Sequence, residues 1–214
     1  MICLFGGTFD PVHLGHLHGA VEVCNALSLE RIHLVLSARP GHRGTPGASA
    51  EHRWRMLQLA CRDDARLQPD DSELQRAARG QRPSYTVETL EAIRRQWPEA
   101  VLVWVLGSDA FQGLPTWHRW RDLLDLAHLV VLQRPGTPLA WQEPLADQVR
   151  ERRIQAAPHV PGGGILFLDA PMQDVSASAV RAKLGAGQAV DDLLPAAVYT
   201  YIKANALYGV LSDA

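Results

Sequence analysis

No apolar run in this 214-residue chain is long enough to cross a bilayer, which argues against an integral membrane protein. Cysteine is scarce: Cys3, Cys24 and Cys61 stand apart with no C-x-x-C spacing. That removes a disulfide framework and a thiolate metal site, and leaves buried, inert thiols as the expectation. An excess of either charge is missing too, with 21 Lys and Arg against 23 Asp and Glu and a formal net charge of −2. Nucleic acid and membrane surfaces normally select a basic patch or tail, so neither is an expected partner and any anion site has to be local. The first residues carry no basic stretch and no cleavable apolar core, which points to a cytoplasmic location. Neither G-x-G-x-x-G nor G-x-x-x-x-G-K-[ST] follows a strand-like run, so the dinucleotide and P-loop fingerprints do not apply.

What is present is an alternation. Apolar, β-rich runs at 2–5, 32–36, 101–106, 129–132 and 165–168 lack polar interruptions, as suits strands covered on both faces. Residues 66–68 suggest one more short strand. Amphipathic patterns fall between them, at 15–27, 49–62, 86–96, 119–126, 178–184 and 195–206. Stretches rich in Gly and Pro at 39–48, 136–144 and 156–164 read as loops. This order predicts an α/β fold: a Rossmann-like, doubly wound parallel sheet of about five to six strands with helices on both faces. The length fits a single domain over 1–214, its C-terminal helical part, about 176–208, packed on the sheet.

In such a sheet, ligands bind beyond the carboxyl ends of the strands, near the point where strand order reverses. The first run empties through Gly6-Gly7 into Thr8-Phe9-Asp10-Pro11, then into His13-x-Gly15-His16 and a helical pattern. A strand that passes through glycines to a helix N-terminus offers a phosphate outward N–H groups and a favourable dipole, and glycine lets it approach the main chain. His13 and His16 add side-chain donors there. A lone histidine would be read as a helix-start residue satisfied by backbone carbonyls; two behind one turn argue for function. A metal site from Asp10, His13, His16 and His18 is disfavoured, because zinc ligands usually converge from separate positions and no cysteine supports one. A second constellation, Ser176-Ala177-Ser178-Ala179-Val180-Arg181, offers hydroxyls, free N–H groups and a guanidinium to one anion. Ser178 is the expected helix N-cap, with Arg181 on the same side of the first turn.

Residues 6–16 closely resemble the H-x-G-H signature of the nucleotidyltransferase superfamily, and in full form look like the bacterial nicotinate-mononucleotide adenylyltransferases. Further matches extend the resemblance over essentially the whole chain. It implies that His13 and His16 are catalytic and that Gly6, Gly7, Thr8 and Phe9 line the ATP site. By the same resemblance Ser176, Ser178 and Arg181 hold the β- and γ-phosphates, and Gly107 and Asp109 contact the adenosine part. Ala177 replaces a frequent Ser of the family, and Ser178 stands where Thr is common. Pro83-Ser84-Tyr85-Thr86-x-x-Thr89-Leu90 is similar to the P-S-Y-T-x-x-T-L element of the nicotinate-specific enzymes, and Leu114-Pro115-Thr116-Trp117-His118 to their tryptophan loop. The implied acceptor site sets the Trp117 indole against a flat, cationic pyridinium ring, while backbone N–H groups around Tyr85 and Thr86 take its carboxylate. Arg39, His42, Arg43 and Arg134 are candidates for the acceptor's phosphate, although the family often has Asn or Lys where this chain has Arg39 and Arg43.

The implied reaction transfers the adenylyl group of ATP to nicotinate mononucleotide, giving nicotinate adenine dinucleotide and pyrophosphate. Mg²⁺ would be held through the phosphates, with no protein metal site. The expected partners are these small-molecule substrates alone, and the expected state is monomer or homodimer. Nicotinamide mononucleotide or phosphopantetheine as acceptor, CTP in place of ATP, and a non-catalytic nucleotide-binding regulator on the same fold stay open. A class I aminoacyl-tRNA synthetase is disfavoured, since the chain is short and lacks a basic RNA-binding extension.

Overall fold

A computed structural model of the chain describes residues 1–39, 45–80, 85–133, 141–169 and 175–210. Its strands are β1 (Ile2–Gly7), β2 (Ile32–Leu36), β3 (Leu67–Asp70), β4 (Leu102–Gly107), β5 (His128–Gln133), β6 (Arg153–Ile154) and β7 (Ile165–Asp169). They form one seven-stranded sheet in the order β3-β2-β1-β4-β5-β7-β6, with every pair parallel. The count exceeds the expected five to six. Residues 66–68 do belong to an edge region, as β3, and β6 adds two residues at the opposite edge, too few to leave a periodic signal.

The helices are α1 (Leu14–Ala26), α2 (Ala50–Cys61), α3 (Ser72–Arg79), α4 (Thr86–Gln96), α5 (Ser108–Gln112), α6 (Trp120–Leu126), α7 (Leu145–Arg152), α8 (Ala177–Gly185) and α9 (Ala196–Ala204). Short 3₁₀ turns stand at Leu114–Thr116 and Leu207–Gly209. Helices α3, α5 and α7 are absent from the sequence-based expectation. The first buries only Glu73 and the third only Leu145, so neither carries an apolar stripe, and α5 is too short to show one. No helix among the described residues is long and apolar enough to cross a membrane.

The sheet divides the core in two. Cys3 and Phe5 of β1 face α1, α2, α8 and α9, packing with Val23, Met56, Val180 and Ile202. Leu4 points the opposite way and packs with Val87 of α4, Phe111 of α5 and Leu123 of α6. This alternation is the period-2 rule of a strand covered on both sides. The three thiols are all buried, and burial pushes each of them up, Cys61 to about 12, which leaves them unreactive.

From β1 the chain winds outward through β2 and β3, then returns to lay β4 on the other side of β1, with Leu4 beside Trp104 and Phe5 beside Val105. Strand order therefore reverses between β1 and β4. The ends of those strands, Gly6-Gly7 and Gly107, border the crevice that this reversal opens.

Candidate active site

A cavity of about 490 Å³ occupies that crevice. Gly6, Gly7, Thr8, Phe9, His13 and His16 line it from the β1 turn, Gly107 and Asp109 from the end of β4, and Ser176, Ser178 and Arg181 from the start of α8. Tyr85, Thr86 and Trp117 line it from the other face of the sheet. Residues up to 175 positions apart in sequence thus share one space.

The β1 turn requires its glycines because rings pack against it. A Cβ on Gly6 would run into the Trp104 indole, whose Cη2 and Cε2 would lie 2.7 and 2.9 Å away; one on Gly7 would meet the Phe9 ring at 2.6 Å. Beyond the turn, His13 occupies the N-cap of α1 in an extended conformation. Its backbone N–H donates to Nδ1 of His16 at 3.3 Å, and the two imidazoles stack with centroids 3.7 Å apart. Accepting at Nδ1 selects the neutral tautomer of His16 that carries its hydrogen on Nε2, a donor suited to a phosphate oxygen.

At α8 the cap differs from the expected one. Ser176, not Ser178, is the N-cap: its backbone is extended (φ −117°, ψ 146°) and its Oγ accepts the Ala179 N–H at 3.1 Å. Ser178 falls inside the first turn, where its Oγ accepts from Nη2 of Arg181 at 3.4 Å. Both hydroxyls and the guanidinium still converge on the cavity.

Asp10, which the sequence offered only as a disfavoured metal ligand, and Arg53 and Tyr208, which it did not single out, fix this half. Asp10 is 5% exposed, and its carboxylate accepts the Gly47 N–H at 2.7 Å, the Ala48 N–H at 3.1 Å and the Tyr208 hydroxyl at 2.8 Å. Arg181 donates from Nη1 to the Asp10 carbonyl at 2.6 Å and lies 3.5 Å from its carboxylate. Arg53 of α2 is 1% exposed and grips four carbonyls, those of Thr8, Ser37, Ala38 and Ala48, at 2.7–3.2 Å. Burial lowers its pKa, and the Asp10 charge opposes that fall. Arg53 did carry a signal: it stands on the same helical stripe as the buried Met56, Leu57 and Ala60.

The other half is built from rings and a helix end. Tyr85 is the N-cap of α4 and makes no side-chain cap; the Glu88 and Thr89 N–H groups turn back onto its carbonyl, and Thr86, the first helical residue, lines the cavity. The His118 ring covers Tyr85 with centroids 4.3 Å apart. Trp117 leaves the 3₁₀ turn with its N–H on the Leu114 carbonyl at 2.9 Å, half-buried against the second core. Below them Glu73 is 3% exposed, accepts the Thr89 hydroxyl at 3.1 Å and is pushed up to about 7 by burial, against the opposing pull of Arg76. Trp104 and Ser108 border the same space, while the Trp104 Nε1 and Ser108 Oγ atoms are themselves buried with no hydrogen-bond partner among the described residues. Unpaired buried donors of this kind cost about 1–3 kcal/mol each until something accepts from them.

Of the candidates for the acceptor's phosphate, only Arg39 is among the described residues. Arg39 is exposed and outside the lining: the carbonyls of Ser37 and Ala38 are tied inward to Arg53, and the next side chain is left at the surface. His42, Arg43 and Arg134 lie outside the described residues, as do Pro83 and Ser84.

Residues 4–183 match the family described as Cytidylyltransferase-like. The chain is 46% identical over 211 residues to the "Probable nicotinate-nucleotide adenylyltransferase" of Pseudomonas aeruginosa (strain UCBPP-PA14), covering 97% of this chain and 96% of that protein. A protein of the same name from Acidithiobacillus ferrooxidans is 41% identical over 211 residues, covering 97% and 95%. In fold the chain is similar to the Plasmodium falciparum nicotinic acid mononucleotide adenylyltransferase complexed with NaAD, with a TM-score of 0.75 at 16% identity over 98% of each chain.

Proposed function

The chain belongs to the nicotinate-nucleotide adenylyltransferases, within the cytidylyltransferase-like family, and from that premise we propose that the cavity between β1 and β4 joins ATP to nicotinate mononucleotide. The observation that carries this reading is the single space shared by two unlike sets of groups: histidines, hydroxyls and a guanidinium on one side, aromatic rings and a helix N-terminus on the other.

The acceptor's phosphate monoester has a second pKa of about 6, so it is already largely dianionic at neutral pH and needs no general base. Its oxygen attacks the α-phosphorus of ATP in line; the new P–O bond forms as the bond to the β-phosphate breaks, and pyrophosphate leaves with the electron pair. Catalysis then rests on positioning and on spreading charge. His16, with its hydrogen on Nε2, and His13 donate to the α-phosphate as charge develops. Ser176, Ser178 and Arg181 hold the far phosphates, while Gly6 and Gly7 let the nucleotide lie against the main chain.

Mg²⁺ would be held through the phosphates of ATP and would supply charge neutralisation there. The donor set fits that mode of binding. The Asp10 carboxylate beside the cavity is already occupied by N–H and O–H donors.

On the acceptor side, the N–H groups at the start of α4 receive the nicotinate carboxylate, and a carboxamide there forfeits a charge-assisted bond. The Trp117 face receives the pyridinium ring. The test is pyrophosphate release from Mg-ATP with nicotinate or nicotinamide mononucleotide. Faster release with nicotinate is expected. Equal rates would remove the carboxylate site at α4, and release with neither acceptor would overturn the function.

A further inference from the structure

We propose that Tyr208 is a positioning residue for ATP: acting through Asp10, it fixes Arg181 and the turn at Gly47 and Ala48 on the triphosphate side of the cavity, which it does not itself line. The inference rests on the assignment of that side to ATP.

Tyr208 lies in the 3₁₀ turn Leu207–Gly209, far from β1 in sequence, and its backbone is left-handed (φ 58°, ψ 27°). A non-glycine residue held there is strained and persists where surrounding contacts fix it. The contact that does so is polar: the phenol donates to Asp10 Oδ1 at 2.8 Å. Burial, reinforced by the Asp10 charge, pushes the phenol well above its ordinary range, so it keeps the proton it donates.

Asp10 distributes that constraint. Its Oδ1 also accepts the Ala48 N–H, and its Oδ2 accepts the Gly47 N–H and faces Arg181. Arg181 is anchored along one edge, Nη1 on the Asp10 carbonyl, and presents the other, Nη2, beside Ser178 on the cavity wall. The tyrosine ring also touches the arginine's neighbourhood directly. A Cβ on Gly47 would lie 3.2 Å from Tyr208 Cε1 and 3.3 Å from Arg181 Cδ, so Gly47 fills the gap between the two side chains. Removing the phenol hydroxyl leaves a buried carboxylate one donor short. Arg181 is the cation beside it, and the guanidinium is drawn toward Asp10 and away from the phosphates.

The test separates this role from stability and from the assignment of the site. Calorimetric titration with Mg-ATP, without acceptor, is run on the full chain and on Tyr208→Phe, which keeps the ring and its packing. Steady-state KM values are measured for both substrates. The variant is expected to bind ATP about tenfold more weakly, with the KM for nicotinate mononucleotide unchanged within about twofold. In an Arg181→Ala background the same substitution is expected to add nothing, since its effect travels through that side chain. Gly47→Ala, which wedges the same gap from the other side, is expected to weaken ATP binding independently of whether the Phe variant folds. Equal ATP affinity in wild type and Tyr208→Phe overturns the proposal, as does an additive loss in the Arg181→Ala background. Absence of ATP binding by the wild type would instead overturn the assignment of the site.

Discussion

The two halves of the cavity are held by different forces. On one side, Arg53, Asp10, Arg181 and Tyr208 form a polar frame, buried at Arg53 and Asp10, in which carbonyls, N–H groups and charges are paired at hydrogen-bond distance. On the acceptor side, Trp117, Trp104 and the Tyr85–His118 pair supply faces, and Glu73 is the one buried ionisable group among the described lining residues of that half. The difference matches what each half would receive under the proposed function. On the proposed function, a triphosphate would be met by donors already in place, because reorganising them at the moment of transfer would raise the barrier. An aromatic ring is met by shape, and a few donors decide which ring is accepted.

The largest test of that contrast is Arg53→Met. It removes the partner of four inward carbonyls and should lower stability by about 3–5 kcal/mol in urea titration, since breaking a buried charged group's network is costly even where its volume is refilled. A loss below about 1 kcal/mol would mean that the phosphate half is not held by this frame. Next is His16→Ala, which should cut turnover about a hundredfold or more while the chain stays folded. Near-normal turnover would take the reacting centre away from the histidines.

Trp117→Ala should raise the KM for nicotinate mononucleotide about tenfold and leave that for ATP unchanged. A shift in the ATP value alone would exchange the two halves. The smallest effect is one of pH. Glu73 is pushed up to about 7 from an ordinary 4.5, so between those values the folded chain keeps a proton that the unfolded chain has lost. Its stabilising contribution is full below the lower value, falls as pH rises through the window, and is level above it. Glu73→Gln should flatten that slope in unfolding midpoints measured from pH 4 to 8; an unchanged slope would place its origin elsewhere.

Much of the phosphate half was legible because its parts are local in sequence. Gly6 to His16 runs as strand, turn and helix start, and each step has its own residue signature. The start of α8 was legible to within two residues: Ser176 and Ser178 both qualify as caps, and only the extended backbone at Ser176 decides between them. Tyr208 had no such signal, since its partner is 198 positions away and a tyrosine near a C-terminal helix reads as ordinary packing. Helix α3 hid Glu73 for a different reason, because it buries a carboxylate where a periodicity argument looks for apolar side chains. Arg39 shows the opposite failure. It lies close to the end of β2 in sequence, yet the chain beside it is tied inward and its side chain stays outside the cavity.

The contact between Gly6 and the Trp104 indole has a consequence for how this chain can change by mutation. Gly6→Ala is blocked here by a side chain on the neighbouring strand, and the same substitution would fit if position 104 carried a smaller group. A large residue at 104 is likewise admissible only while position 6 lacks a Cβ. The two sites can drift only in step, so the mutational tolerance of the nucleotide turn is set one strand away from it.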